Sequence, residues 1–265
     1  MTPILLLGAG RMGGAMIEGW KLTGAFHPAA LIVREPHPGA SILEAERGGA
    51  RLNPPDAVLG EARTVLMAVK PQVWRAATAD LAPLLHPDAV IVSIAAGVPI
   101  QDLSQVFAGR AVARVIPTTA VAIAKGVASI FSENPEARAR AHALFDQVAT
   151  SVDLDQEGLI DAATAVSGSA PAYWYALIEA LEAAGEAQGL PRAAAQALVR
   201  ATMISAGALL EHSGEEPAEL RRQVTSPAGT TQAALDVLNA EGAFPRLAAE
   251  AVAAAVRRAR ELAAG

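Results

Sequence analysis

The 265-residue chain has no cysteine, and only 4% of it is aromatic and 18% charged. Without a thiol there can be no disulfide framework, no zinc–thiolate site and no cysteine nucleophile. Five histidines (His27, His37, His86, His142 and His212) lie scattered, with no two at metal-ligand spacing, so no metal centre is expected. Positive charge is also scarce. Lys and Arg total 21 against 27 Asp and Glu, a formal charge of −6 with no basic stripe, which argues against nucleic-acid binding. Long apolar runs are missing too. The longest charge-free stretch, residues 162–178, holds Ser167, Gly168, Ser169 and Pro171 and falls short of a membrane span. Met1 leads almost directly into an apolar run, with no basic segment and cleavage site ahead of it. These absences set the expectation of a soluble, cytoplasmic protein.

Hydrophobic residues make up 52% of the chain, enough for a sizeable core in one large domain or two ordinary ones. Alanine is abundant, which suits closely packed helix layers or a subunit interface. The first half alternates in period. Short apolar, β-branched runs occur at Ile4–Leu7, Ala30–Val33, Thr64–Val69, Val90–Ile94 and Ala111–Ile116. Helical patterns separate them at Ala15–Lys21, Ser41–Arg47, Val73–Leu85 and Ile100–Phe107. Two further runs, Val127–Phe131 and Ser151–Leu154, flank a helical Pro135–Val148. Strands without polar alternation are buried on both faces, so this β-α series predicts a doubly wound, Rossmann-like sheet. From about residue 158 no β-rich run appears. Helices are predicted over Ala172–Gln188, from Pro191 to about His212, over Pro217–Val224 and Pro227–Leu238, and from Pro245 with Leu247, Val252, Val256 and Leu262 repeating. The expected division is residues 1–158, dinucleotide-binding, and residues 159–265, all-helical.

The first apolar run ends in Gly8-Ala9-Gly10-Arg11-Met12-Gly13, a G-x-G-x-x-G spacing between strand and helix. There Gly8 makes the tight turn, Gly10 lets backbone approach a pyrophosphate, and Gly13 lets the helix pack close on the strand. Arg11 and Met12 are expected to line the same crevice, Met12 toward the nicotinamide. The second strand ends at Val33, and Arg34-Glu35 follow. An arginine there suits a 2′-phosphate and a carboxylate suits a 2′-hydroxyl; the reading leans to NADPH, with NADH also open. The third strand ends in Ala68-Val69-Lys70-Pro71, which puts Lys70 at the carboxyl edge where phosphate would lie. Ser93-Ile94-Ala95-Ala96-Gly97 ends the next strand, and its small residues, Ala95 and Gly97 among them, leave room for a ring or ribose.

In the helical half, Val224-Thr225-Ser226-Pro227-Ala228-Gly229-Thr230-Thr231 reads as a helix start, with Ser226 as N-cap and Pro227 in first position. Gly229, Thr230 and Thr231 would then sit in a first turn whose free N–H groups and hydroxyls suit a carboxylate. On local grounds alone the stretch reads rather as an ordinary capped helix. Ser167-Gly168-Ser169-Ala170-Pro171-Ala172-Tyr173 opens the preceding long helix and does not match a serine-hydrolase elbow, because residue 165 is alanine.

Together, and in this order, the glycine turn, Val69-Lys70-Pro71-Gln72, Ser93–Gly97, Ser167–Tyr173 and Val224–Thr231 resemble the pyrroline-5-carboxylate reductase family over essentially the whole chain. The resemblance implies reduction of the C=N bond of 1-pyrroline-5-carboxylate to L-proline by NAD(P)H. It also implies a Rossmann domain followed by a helical domain, homodimers that share active sites, and larger rings of dimers. By position, Ser226, Gly229, Thr230 and Thr231 would hold the substrate, with Thr231 the catalytic contact to the imine nitrogen. Ala68–Pro71 would touch the cofactor. Where the family usually has Met-Pro-Asn-Thr-Pro, this chain has Ile116-Pro117-Thr118-Thr119-Ala120; Thr118, expected at the cofactor, can still donate but is shorter than asparagine. A second family asparagine, which faces the adenosine, is not cleanly present: Asn53 and Asp56 are nearby, and Pro55 holds the aligned position. Two rival readings remain. One is a related reductase of another cyclic imine or a β-hydroxy acid, although Pro171–Gln188 lacks the lysine such hydroxy-acid enzymes use. The other is a dinucleotide-sensing regulator without turnover.

Overall fold

Every residue of Ile4–Leu7 is buried, and alternate residues serve opposite layers: Ile4 and Leu6 join one apolar cluster, Leu5 and Leu7 the other. A strand wanted on both faces has no polar side, which is why its sequence shows no alternation. This strand is β1 of a computed structural model that describes residues 1–264. Side chains are described as far as Glu261, so Leu262, the end of the expected apolar repeat, lies outside them. Among the described residues, β1 is joined by β2 (Leu31–Arg34), β3 (Arg51–Leu52), β4 (Thr64–Met67), β5 (Val90–Ser93), β6 (Val112–Pro117), β7 (Gly126–Phe131) and β8 (Ala149–Asp153). They form one sheet in the order β3-β2-β1-β4-β5-β6-β7-β8.

Helices α1 (Arg11–Thr23), α2 (Ala40–Arg47), α3 (Trp74–Thr78), α4 (Ile100–Val106) and α5 (Pro135–Phe145) cover the sheet. Met16 and Trp20 of α1 and Leu144 and Phe145 of α5 lie on the Ile4 face; Trp74 of α3 and Leu103 of α4 lie on the other. The buried Trp20 indole donates to the Leu144 carbonyl at 2.8 Å, pinning α5 to α1. Burying side chains of this size contributes about 1.5–3 kcal/mol each.

Three expectations need correction. The sheet is parallel from β3 to β6, but β7 runs antiparallel to β6, with Val115 opposite Ile130. Residues 118–125 between them are too few for a helical crossover, so the chain turns back as a hairpin. The helix expected over Val73–Leu85 is broken into a 3₁₀ turn at Pro71–Val73, α3, and a second 3₁₀ turn at Ala82–Leu84. Pro83 has no N–H to donate back to Ala79, and its ring opposes a continuing helix. The two-residue β3 escaped notice because so short a run carries no period.

The chain forms two compact units: residues 1–168 with those from Ala255 onward, and residues 169–254. The leading segment of the first unit runs ten residues past the expected division at residue 158. Helix α6 (Ile160–Ala163) belongs with the sheet, where Ile160 packs on Ile116 and Phe131. A π-helical turn follows at Thr164–Gly168, with Thr164 and Ser167 hydroxyls donating back to the Ile160 and Ala163 carbonyls, each at 2.7 Å.

The second unit is helical: α7 (Ala170–Ala187), α8 (Arg192–Ser213), α9 (Pro217–Gln223), α10 (Thr230–Leu238) and the start of α11 (Ala243–Ala264). Helices α7 and α8 pack on each other, joined by an ion pair in which Arg200 Nε meets the buried Glu182 at 2.8 Å. Much of its apolar surface faces outward: Ile204 is 73% exposed, Val237 76%, and Trp174, Tyr175, Leu198 and Leu247 are exposed as well. Helix α8 is long and apolar enough to cross a membrane by length and composition.

Candidate active site

The glycine turn is built by the strands beside it. β1 pairs in parallel with β2 on one side and β4 on the other, so the strand order reverses at β1 and a crevice opens beyond the carboxyl ends. Gly8, immediately after β1, has φ +78°, and a Cβ there would press on Val69 Cγ1 at 2.8 Å. The turn thus needs glycine for both conformation and space. A Cβ on Gly13 would come 2.5 Å from the Gly8 carbonyl oxygen, so α1 reaches the strand only because residue 13 has no side chain. Gly10, the N-cap of α1, is different. A Cβ there would meet no atom within 4 Å, because its bare side faces open space. That open backbone stands at a helix start whose first amides lack intrahelical partners, the arrangement that receives a pyrophosphate.

A cleft of about 840 Å³ opens at this point, lined by Gly8, Gly10, Arg34, Ala68, Val69 and Lys70 among others. A volume of this size suits a small-molecule ligand or cofactor. Six of the expected cofactor residues are therefore brought together. The others lie elsewhere. Ala9 and Arg11 line an adjoining recess of about 550 Å³ with Ser41 and Thr119. Met12 packs against the Ile4-side core, and Gly13 lies buried beneath Gly8. Pro71 starts the 3₁₀ turn after Lys70. Ala95 is buried, Gly97 has φ +73°, and the buried Thr118 hydroxyl accepts from the Val127 N–H at 3.0 Å across the β6–β7 turn.

The ribose end shows interactions that the sequence did not disclose. The Gly8 N–H donates to the Arg34 carbonyl at 2.9 Å, and the Ala9 N–H donates to Glu35 Oε2 at 2.7 Å. Glu35 Oε1 accepts from the His37 N–H at 2.9 Å. Asn53, with φ +45°, clasps the Glu35 backbone, accepting from its N–H at 3.0 Å and donating to its carbonyl at 2.9 Å. Arg34 is ion-paired with Asp56. The signal available in sequence was Asn53-Pro54-Pro55, a turn-forming triplet, but no rule of spacing links it to Arg34 or Glu35.

In the second unit the expected helix start is displaced. Ser226 is not the N-cap. The Gly229 N–H donates to the Ser226 carbonyl at 3.0 Å, closing a turn with Pro227 and Ala228 at its corners and Ala228 at φ +56°. A left-handed residue cannot sit inside an α-helix, so α10 starts at Thr230 with Gly229 as N-cap. Gly229 is held close under Ser226, whose Oγ occupies the space a Cβ would need. Ser226, Gly229, Thr230 and Thr231 are thus gathered around the N-terminus of α10; Ser226 and Thr230 are exposed and Thr231 is half-buried.

A sheet whose strand order reverses at a glycine turn, with a cleft opening over that turn, marks a dinucleotide-binding protein of the Rossmann class. The family model for pyrroline-5-carboxylate reductase dimerisation matches residues 157–262, and the model for coenzyme F420-dependent NADP oxidoreductases matches residues 3–97. A pyrroline-5-carboxylate reductase of Pseudomonas aeruginosa is 39% identical, covering 99% of this chain and 97% of that protein. The solved pyrroline-5-carboxylate reductase of Coxiella burnetii is 26% identical with a TM-score of 0.90, covering 98% of each chain. The Plasmodium falciparum pyrroline carboxylate reductase with NADP bound shares the fold, with a TM-score of 0.84 at 23% identity over 99% of this chain and 98% of that one. The chain belongs to the pyrroline-5-carboxylate reductase family.

Proposed function

We infer that the protein reduces 1-pyrroline-5-carboxylate to L-proline with NAD(P)H, the last step of proline biosynthesis. The observation that carries this reading is full-length similarity to curated reductases at 39% identity, which spans both the glycine turn and the Ser226–Thr231 turn. The division of labour assigns the dinucleotide to residues 1–158, and the substrate and dimerisation to residues 159–265. The dimerisation model, matching from residue 157, supports it.

Bound in the cleft, the cofactor supplies hydride to the imine carbon. The chain's own task is to bind, orient and exclude water. Gly10 and the first amides of α1 hold the pyrophosphate, Lys70 adds charge beside it, and Arg34 stands for the 2′-phosphate of NADPH, with NADH also used. The N-terminus of α10 receives the substrate carboxylate, its dipole contributing about 0.3–1 kcal/mol where exposed. The Thr231 hydroxyl contacts the ring nitrogen, orienting the imine and relaying the proton that balances the hydride. The outward apolar surface of the α7–α8 pair is read as the face of a homodimer whose subunits share active sites, with rings of dimers beyond it. That reading also accounts for the apolar α8 without a membrane. The absence of cysteine and the net charge of −6 accord with a cytoplasmic enzyme that binds no nucleic acid.

Steady-state NADPH oxidation with pyrroline-5-carboxylate, a piperideine carboxylate and a panel of β-hydroxy acids tests the reading. Turnover confined to pyrroline-5-carboxylate is expected. A preference for a hydroxy acid, or no turnover at all, would overturn it. Thr231→Ala should lower kcat/KM about a hundredfold, the usual effect of losing one positioned donor. Wild-type efficiency in that variant would remove Thr231 from the mechanism.

A further inference from the structure

Two carboxylates attend the one arginine at the ribose end of the cleft. Arg34 and Glu35 line the cleft together, and Asp56 pairs with Arg34. Those three side chains sum to one net negative charge. The Arg34 guanidinium also donates to the Pro54 carbonyl at 3.4 Å. Among the described residues its Nε is buried and meets no acceptor, so the pose that Asp56 holds leaves one donor unsatisfied. Pro54 and Pro55 stiffen the chain that delivers Asp56 as the first residue of a 3₁₀ turn. Asn53 fixes the backbone of Glu35, and the Ala9 and His37 amides fix its carboxylate at the edge of the glycine turn.

A 2′-phosphate brings nearly two negative charges to this spot, whereas a 2′-hydroxyl brings a donor. Asp56 already occupies one Nη of Arg34, and a phosphate that takes the remaining donors lies beside the Asp56 and Glu35 carboxylates. The hydroxyl meets neither obstacle. We propose that Asp56 is a specificity-determining residue, a built-in competitor for the 2′-phosphate at Arg34 that holds down discrimination for NADPH. The proposal rests on the reductase reading for its cofactor class. Its new content is the role of Asp56.

The test is the ratio Kd(NADH)/Kd(NADPH), read by nicotinamide-fluorescence titration without substrate, alongside the ratio of kcat/KM values for the two dinucleotides. Asp56→Asn should raise both ratios about fivefold, the upper end for removing an exposed ion pair. Asp56→Glu, which keeps the ion pair, should hold them at the wild-type value. Ratios that stay within about twofold in Asp56→Asn, or that fall, would overturn the proposal while leaving the reductase reading intact. Failure of the wild-type protein to bind either dinucleotide would overturn both.

Discussion

At Gly10 and Gly13 one added methyl group has opposite consequences. A Cβ on Gly13 would drive into the Gly8 carbonyl at 2.5 Å, whereas a Cβ on Gly10 meets no protein atom. Gly13→Ala should therefore cost stability, about 1–3 kcal/mol as for other overpacked sites. Gly10→Val should unfold close to the wild-type denaturant midpoint yet bind NADPH at least about tenfold more weakly, because the side chain fills the space a pyrophosphate would use. Denaturation curves paired with fluorescence titrations check both. If the two variants lost stability equally, Gly10 would be a packing glycine and the phosphate assignment would fail. Both glycines, and the division of labour between them, were legible in the sequence as one motif. The atoms that oppose each of them were not, because they are set by what lies across from each residue in space. For the same reason the Arg34–Asp56 pair was invisible: its partners are joined by a turn, with no periodicity to mark the contact.

Among the elements, β6 and β8 carry ionic fastenings that can be tested separately. Arg114 of β6 is 6% exposed and donates to Glu157 Oε1 at 2.7 Å; the same oxygen accepts from the Ile100 N–H at the start of α4 at 2.8 Å. Glu157→Ala would strand a buried cation and a helix-start amide, a loss of about 3 kcal/mol. A change below about 1 kcal/mol in urea unfolding would mean that water takes over both donors. His142 of α5 stands between Asp146 and Asp153, at 3.0 and 3.2 Å. Burial alone would lower its pKa, but the hydrogen bonds to the two carboxylates outweigh burial and raise it above the ordinary value. A raised folded-state pKa stabilises the fold below the unfolded value of about 6.5, and the contribution disappears as pH climbs through the folded value. The stability difference between wild type and His142→Gln should accordingly shrink from about pH 6 upward. A difference independent of pH would show that the imidazole acts only by packing. The element pattern itself was largely readable, because buried strands and capped helices leave local signals. The exceptions were the places where a short connection (residues 118–125), an interior proline (Pro83) or a left-handed alanine (Ala228) decided the geometry.

On the scale of the whole molecule, the helical unit exposes Ile204, Val237, Trp174 and Leu198, an apolar surface that a lone chain would present to water. Ile204→Arg should shift the sedimentation profile from dimer to monomer, with a dimer Kd raised by roughly thirtyfold or more and the circular-dichroism spectrum preserved. An unchanged profile would remove this surface as the proposed dimer face.

The larger unit is also discontinuous in sequence, since residues from Ala255 onward cluster with residues 1–168. Their attachment includes Arg260, 3.8 Å from Asp161. On the ribosome the strands emerge first, and this closing piece emerges only after the intervening helices have been made, roughly 5–20 s later at usual elongation rates. During that interval the nascent sheet is without its final segment while the apolar helices leave the exit tunnel behind it. Synthesis order thus makes the stretch from Ala255 the last piece to join the unit that the strands begin.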